Sequence, residues 1–184
     1  MPDVPRTLLE QGFQARREKR LDNAKRIFAE AIDVCRRIGT QLELARALTG
    51  LGQIERDLNQ NGAARRHYEE AVAIYRAEGD PLRLAHVLRH LGDILRHDGQ
   101  ADLAESCYQE ALALYRSNRH TQPLDLANAL RGAALLKDKL GDADQARSLW
   151  SEARELYAAA NVQQGVAEST RQLERLSGIP RNTR

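Results

Sequence analysis

Apolar residues recur along this chain at helical spacing, in runs of similar length broken by short polar turns. In the run that opens at Asp80-Pro81, Leu84, Val87, Leu88, Leu91, Ile94 and Leu95 fall on one helical face. Asp80 is a capping residue, and Pro81 suits a first helical turn. His97-Asp98-Gly99-Gln100 ends the run, with Gly99 able to take the left-handed conformation that closes a helix. A second run follows through Leu103, Ala104, Cys107, Tyr108, Ala111, Leu112, Leu114 and Tyr115, and Asn118 to Pro123 turns the chain again. The same pattern predicts nine helices, over 4–18, 22–38, 41–58, 62–78, 81–97, 101–117, 123–139, 143–160 and 163–176. The linkers are short, so neighbouring helices are expected to run antiparallel.

The helices come in copies. LARALTGLGQIERDLNQNGAARRHYEEAVAIYR, from Leu44, realigns with LAHVLRHLGDILRHDGQADLAESCYQEALALYR, from Leu84, a period of forty residues. A looser copy starts at Leu126 and a degraded one at about Val4. A fixed period of this size marks stacked supersecondary units, each burying its apolar face against the next. The prediction is one all-α domain over 4–177. It is a right-handed α-α superhelical solenoid of four helix-turn-helix repeats, 4–39, 40–79, 80–120 and 121–161, with a C-terminal capping helix over 162–177. A flexible tail over 178–184 is expected to follow. Glu174 stands in a column otherwise held as Gly or Ala, so the last helix reads as the solvated end of a complete module.

Three columns of the repeat are small: Gly12, Gly52, Gly92 and Ala134; Ala24, Ala64, Ala104 and Ala146; Ala31, Ala71, Ala111 and Ala153. Glycine inside a helix costs on the order of 1 kcal/mol relative to alanine, so a compensating close approach of two helix backbones is expected there. A bulky column, Phe28, Tyr68, Tyr108 and Trp150, would fill the space between successive helices. Leu8, Leu48, Leu88 and Leu130 would pack on the other side.

These residues resemble the tetratricopeptide repeat family, which pairs Leu-Gly in a first helix with Ala, an aromatic and Ala in a second. Leu51-Gly52, Ala64, Tyr68 and Ala71 match it, as do Leu91-Gly92, Ala104, Tyr108 and Ala111, and Ala146, Trp150 and Ala153. The unit departs from the family in being longer than 34 residues. The second aromatic of the first helix is replaced by Ala15, Glu55, Leu95 and Lys137. The proline that ends the second helix is replaced by Arg36, Arg76, Arg116 and Ala158. Without that proline the second helix runs on, and the turn falls later, at Gly79-Asp80-Pro81. HEAT-type repeats share the period but lack the Gly/Ala/aromatic pattern.

Composition narrows the function classes. Charged residues make up 29% and the formal net charge is +2 in 184 residues, without the concentrated basic face that nucleic acid requires. The start, MPDVPRTLLEQ, has no secretory apolar region, and no window is long and apolar enough to span a bilayer, so a cytoplasmic location is expected. Cys35 and Cys107 sit in apolar patterns and are expected to be reduced, buried thiols. No Gly-rich phosphate loop, HExxH or GxSxG is present, and the chain is expected to be neither an enzyme nor a cofactor carrier.

The resemblance implies that the first helices line a concave groove that binds other proteins. The lining residues would be Arg6, Leu9, Phe13 and Arg16 in the first unit, then Arg46, Thr49, Gln53 and Arg56. The third unit would add His86, Arg89, His90, Asp93, Arg96 and His97, and the fourth Asn128, Arg131, Leu135 and Asp138. The bias is basic with apolar anchors at Leu9, Phe13 and Leu135, which favours an acidic peptide or partner helix. The Lys and Asn of the family's two-carboxylate clamp are absent, because Leu9 and Phe13 occupy those columns. His86, His90, Asp93 and His97 share one helical stripe, but Arg89 and Arg96 beside it would repel a cation, so no metal is expected. His67 and His120 are expected to be exposed. A second functional reading stays open: the texture also resembles arrays in bacterial NTPase-linked transcriptional activators and peptide-pheromone receptors, which implies a regulatory module binding a small peptide or effector. The flank of the first helix pair could instead serve a homodimer, so monomer and dimer both remain open.

Overall fold

The computed structural model describes residues 4–178, in which there are nine helices and no strands. They are α1 (Val4–Arg17), α2 (Leu21–Ile38), α3 (Gln41–Asp57), α4 (Asn61–Ala77), α5 (Pro81–His97), α6 (Ala101–Ser117), α7 (Pro123–Lys139), α8 (Ala143–Ala159) and α9 (Gln163–Leu176). The tail predicted over 178–184 lies, beyond Gly178, outside the described residues.

The turn chemistry explains where the helices stop. Asp80 Oδ1 accepts from the Arg83 amide at 3.0 Å, and Asp142 Oδ1 from the Gln145 amide at 3.1 Å, each satisfying an orphan donor of a helix start. The turn inside each unit needs one residue at positive φ, and Lys19, Asn59, Gly99 and Gly141 hold that column at φ 59, 59, 77 and 82°. Gly99 takes it without a Cβ clash, whereas Lys19 takes it at some steric cost.

The chain divides into two compact units, one ending at Val87 and one beginning at Leu88. In the first, α3 packs against α1 and α2 and pairs with α4. In the second, α7 packs against α6 and α8, and α8 against α9.

Phe28, Tyr68, Tyr108 and Trp150 are all buried, as are the alanines of both second-helix columns. The small first-helix residues serve a different neighbour from the one expected. A Cβ at Gly12 would stand 2.8 Å from the Phe28 ring, at Gly52 2.6 Å from Tyr68, and at Gly92 3.0 Å from Tyr108. The glycines therefore admit the aromatic ring of their own unit, and not a bare backbone. Gly50 and Gly132 complete the arrangement from the following helix, at 2.5 Å from Phe28 and from Tyr108. Each of these two rings is clasped between two glycines.

In the second unit α9 packs on Trp150. Ala134, Ala146 and Trp150 form a buried cluster on which Leu135, Leu149, Leu173 and Leu176 pack, so α9 docks through two leucines. Glu174 is exposed, on the outer side of α9. Leu103, placed in an apolar face by its spacing, is exposed instead, and Cys107 is only half-buried, while Cys35 is buried.

One column is underfilled. Ala133 stands where Leu51 and Leu91 stand in the two preceding units, and a cavity of about 110 Å³ opens beside it, lined by Tyr108, Leu112, Leu136 and Leu149. Ala133→Leu should fill this space and raise the unfolding free energy by about 1 kcal/mol. Denaturant unfolding checks this, and a loss of stability would show that the cavity is not shaped for the restored leucine.

Candidate functional site

In the compact unit that ends at Val87, residues of α1, α3, α4 and α5 build a cleft. Phe13, Arg46, Thr49, Gln53, Tyr75, Arg83, His86 and Val87 enclose about 210 Å³, room for one or two side chains. Phe13 is half-buried and stands edge-on to Phe28, with ring centroids 5.0 Å apart and 72° between planes. That contact fixes one apolar wall. Gln53 Nε2 lies 3.2 Å from His86 Nε2, and the Thr49 hydroxyl donates to the Ala45 carbonyl at 2.7 Å. Arg83 is paired with Asp80. Arg46 makes neither a hydrogen bond nor an ion pair among the described residues.

Elsewhere the expected basic surface is largely neutralised from within. Arg16 and Arg56 share Asp57, at 2.9 and 3.1 Å, and Arg6 pairs with Glu10 at 3.3 Å. In the second unit Arg89 reaches Asp93 at 3.4 Å, and Arg131 Nε donates to Glu168 Oε2 at 2.8 Å. The Glu168 hydrogen bond holds the Arg131 guanidinium pKa above its ordinary value. Arg96 donates to the Tyr108 hydroxyl at 3.4 Å, and that hydroxyl donates to Asp93 Oδ1 at 2.7 Å. Asn128 accepts from the Tyr157 hydroxyl at 2.8 Å. Arg175 of α9 pairs with Asp138.

One expected anchor is corrected: Leu9 is wholly buried and belongs to the core. Leu135 is half-buried, with part of its surface packed on the Trp150 cluster. On a helix face one position turns a side chain by about 100°, so a face assigned one residue off moves a leucine from wall to core. His90 is also buried, and Arg89 Nη2 donates to its Nε2 at 2.9 Å. His97 is exposed, with Nδ1 3.5 Å from Asp98. The histidine stripe thus engages separate partners, and no group of three His, Cys, Asp or Glu among the described residues could hold a metal ion. His67, expected to be exposed, is half-buried with Nδ1 2.7 Å from the buried Glu55, whose other oxygen lies 3.7 Å from Lys25.

Sequence reasoning missed Asp57 and Glu168 as partners and Tyr75 as a wall. Glu168 had a signal: it occupies the repeat column of Arg46, His86 and Asn128 on the last helix. A larger hollow between α1 and α2 is lined by Gln11, Gln14, Arg17, Arg20 and Arg26, with Leu8 and Ile27 as apolar residues, and it holds none of the expected groove residues.

All five tyrosines of the chain are buried. Burial pushes the Tyr75 phenol up to about 12, and pushes Tyr108, Tyr115 and Tyr157 up as well. A group whose folded pKa exceeds its unfolded value holds its proton more tightly when folded. The stability it contributes is complete below about pH 10 and is lost as pH rises through the folded pKa, about 12 for Tyr75. Phenolate absorbance and helical circular dichroism should therefore change together in alkali. Tyrosine ionisation at ordinary pKa with the helix intact would contradict this burial.

A family model described as tetratricopeptide repeat matches residues 3–77 and 83–174. Among solved structures, the chain is similar to the crystal structure of BtubC (BKLC) from P. vanneervenii, with a TM-score of 0.76 and 21% identity over 86% of this chain. The chain spans 65% of the length of that protein, and at this identity the likeness concerns the fold. A comparison with curated protein sequences returns no match. Among the described residues no helix is long and apolar enough to cross a membrane. The glycine-clasped aromatic rings, the helix-turn-helix repetition and the family match over nearly the whole chain agree: this chain belongs to the tetratricopeptide repeat family.

Proposed function

We propose that this chain is a cytoplasmic interaction scaffold whose cleft in the first unit receives a peptide carrying a carboxylate beside an apolar side chain. Tetratricopeptide repeats mediate protein–protein interaction, and the finer reading rests on one observation: Arg46 opens into the cleft with no partner of its own. Its guanidinium would take the carboxylate as a two-pronged, charge-assisted pair. Phe13 and Val87 would cover the apolar neighbour, and the Gln53–His86 pair would meet the peptide backbone. A cleft of about 210 Å³ is too small for a common cofactor and suits a side chain.

Panning a random-peptide library against the protein tests this reading. Selected sequences should be enriched in Asp or Glu next to an apolar residue, and Arg46→Gln should weaken them about tenfold or more, as loss of a buried charge-assisted pair does. Selection of sequences without acidic residues, or affinity unchanged by Arg46→Gln, would reject it.

A further inference from the structure

Two ion pairs of the second unit involve expected groove residues of α5 and α7 whose charges cancel, Arg89 with Asp93 and Arg131 with Glu168. Three of these residues lie on α5 and α7, but Glu168 is supplied by α9. That helix is held by other contacts. Leu173 and Leu176 pack on the Trp150 cluster, and a Cβ at Gly165 would stand 2.4 Å from the Tyr157 ring, so the two elements fit closely there. The Arg131–Glu168 pair keeps 39% and 27% of its side-chain surface exposed, and pairs that open contribute little to folding.

The geometry of the pair is also incomplete. Glu168 engages Nε alone, and the two Nη groups of Arg131 make no hydrogen bond among the described residues. A guanidinium binds a carboxylate best through two parallel donors, so Arg131 retains capacity that Glu168 does not use. The Asp93 carboxylate and the Tyr157 phenol lie near enough to act on the Arg131 charge.

We infer that Arg131 is a second carboxylate-binding position and that Glu168 occupies it in cis, so that a partner's acidic side chain reaches Arg131 only by displacing Glu168. Glu168 then sets which acidic partners bind: one able to grip the guanidinium with both oxygens displaces it, and one offering a single oxygen does not. The inference rests on the reading that the chain binds acidic peptides.

The test is fluorescence anisotropy with a fluorescein-labelled acetyl-Leu-Glu-Leu-Glu-Leu peptide, titrated with the wild-type chain and four variants. Glu168→Gln should bind about three- to fivefold tighter than wild type, the scale of one exposed ion pair. Glu168→Ala should do the same, which guards against an effect of the amide itself. Adding Arg131→Gln to Glu168→Gln should remove the gain. Equal or weaker binding by both Glu168 variants overturns the inference, as does a gain that survives loss of Arg131. Arg46→Gln separates the two proposals. If it weakens binding while the Glu168 variants change nothing, the cleft stands and the inference falls. If it has no effect while Glu168→Gln still strengthens binding, the cleft reading falls and the Arg131 position stands. Binding to none of the proteins overturns both.

Discussion

Trp150→Ala is expected to lower the unfolding free energy by about 3–5 kcal/mol, the range for deleting a buried tryptophan. Trp150 has no solvent exposure, and its cluster with Ala134 and Ala146 is the surface on which Leu173 and Leu176 seat α9. Removing the indole leaves those leucines without a floor, and the flanking alanines are too small to close the gap. The loss should therefore be uneven. Amide protons of α9 should exchange much faster than those of α3, because Leu173 and Leu176 of α9 pack on the cluster that loses its indole. Denaturant unfolding by circular dichroism gives the total and hydrogen exchange gives the distribution. A loss below about 1 kcal/mol, or uniform exchange along the chain, would mean that α9 is held by something other than this cluster.

Gly50→Val should cost about 3 kcal/mol, at the upper end of overpacking. The first added carbon alone would stand 2.5 Å from the Phe28 ring, and that ring has little room to retreat because Gly12 stands so close behind it that even a Cβ there would lie at 2.8 Å. Helix propensity works in the opposite direction, since glycine is the poorer helix former by several tenths of a kcal/mol, so the sign of the result decides which effect rules. Gly62 supplies the control. Nothing lies within 4 Å of its added Cβ, and Gly62→Ala should stabilise by up to about 1 kcal/mol. Combining Gly50→Val with Phe28→Leu should recover part of the loss, as residues in direct contact do. If Gly50→Val were neutral, the clasped ring would not be what the glycine column is for.

The packing was legible because it repeats. Phe28, Tyr68, Tyr108 and Trp150 could be aligned by eye, and a residue buried in one unit is buried in the next for the same geometric reason. Even so, the reason for the glycines was misread: spacing shows that a column is small, but only coordinates show that an aromatic ring fills the space. The charges do not repeat, and there the sequence was a poor guide. Arg131 and Glu168 are 37 residues apart, Arg16 and Asp57 are 41 apart, and each pairing depends on how one helix is set beside another. One pair of columns carries Lys25 with Glu55 in the first unit and Glu105 with Lys137 in the second, so even the sign inverts between copies. Among the described residues, most of the arginines expected to line a basic groove thus have an acidic neighbour, whereas Arg46 makes no ion pair. Leu9 differs for a smaller reason, a side chain directed to the core from an otherwise polar face.

The most direct measurement follows the arginine side chains themselves. Nitrogen-15 spectra of the guanidinium Nε–Hε groups, recorded as a library-selected acidic peptide is added, report which arginine gains a carboxylate. Arg46 should shift first and furthest, while Arg16, Arg56 and Arg89 stay close to their starting positions because each already has an acidic neighbour. Shifts confined to the outer-helix arginines, Arg36 and Arg116, with Arg46 unmoved, would contradict it.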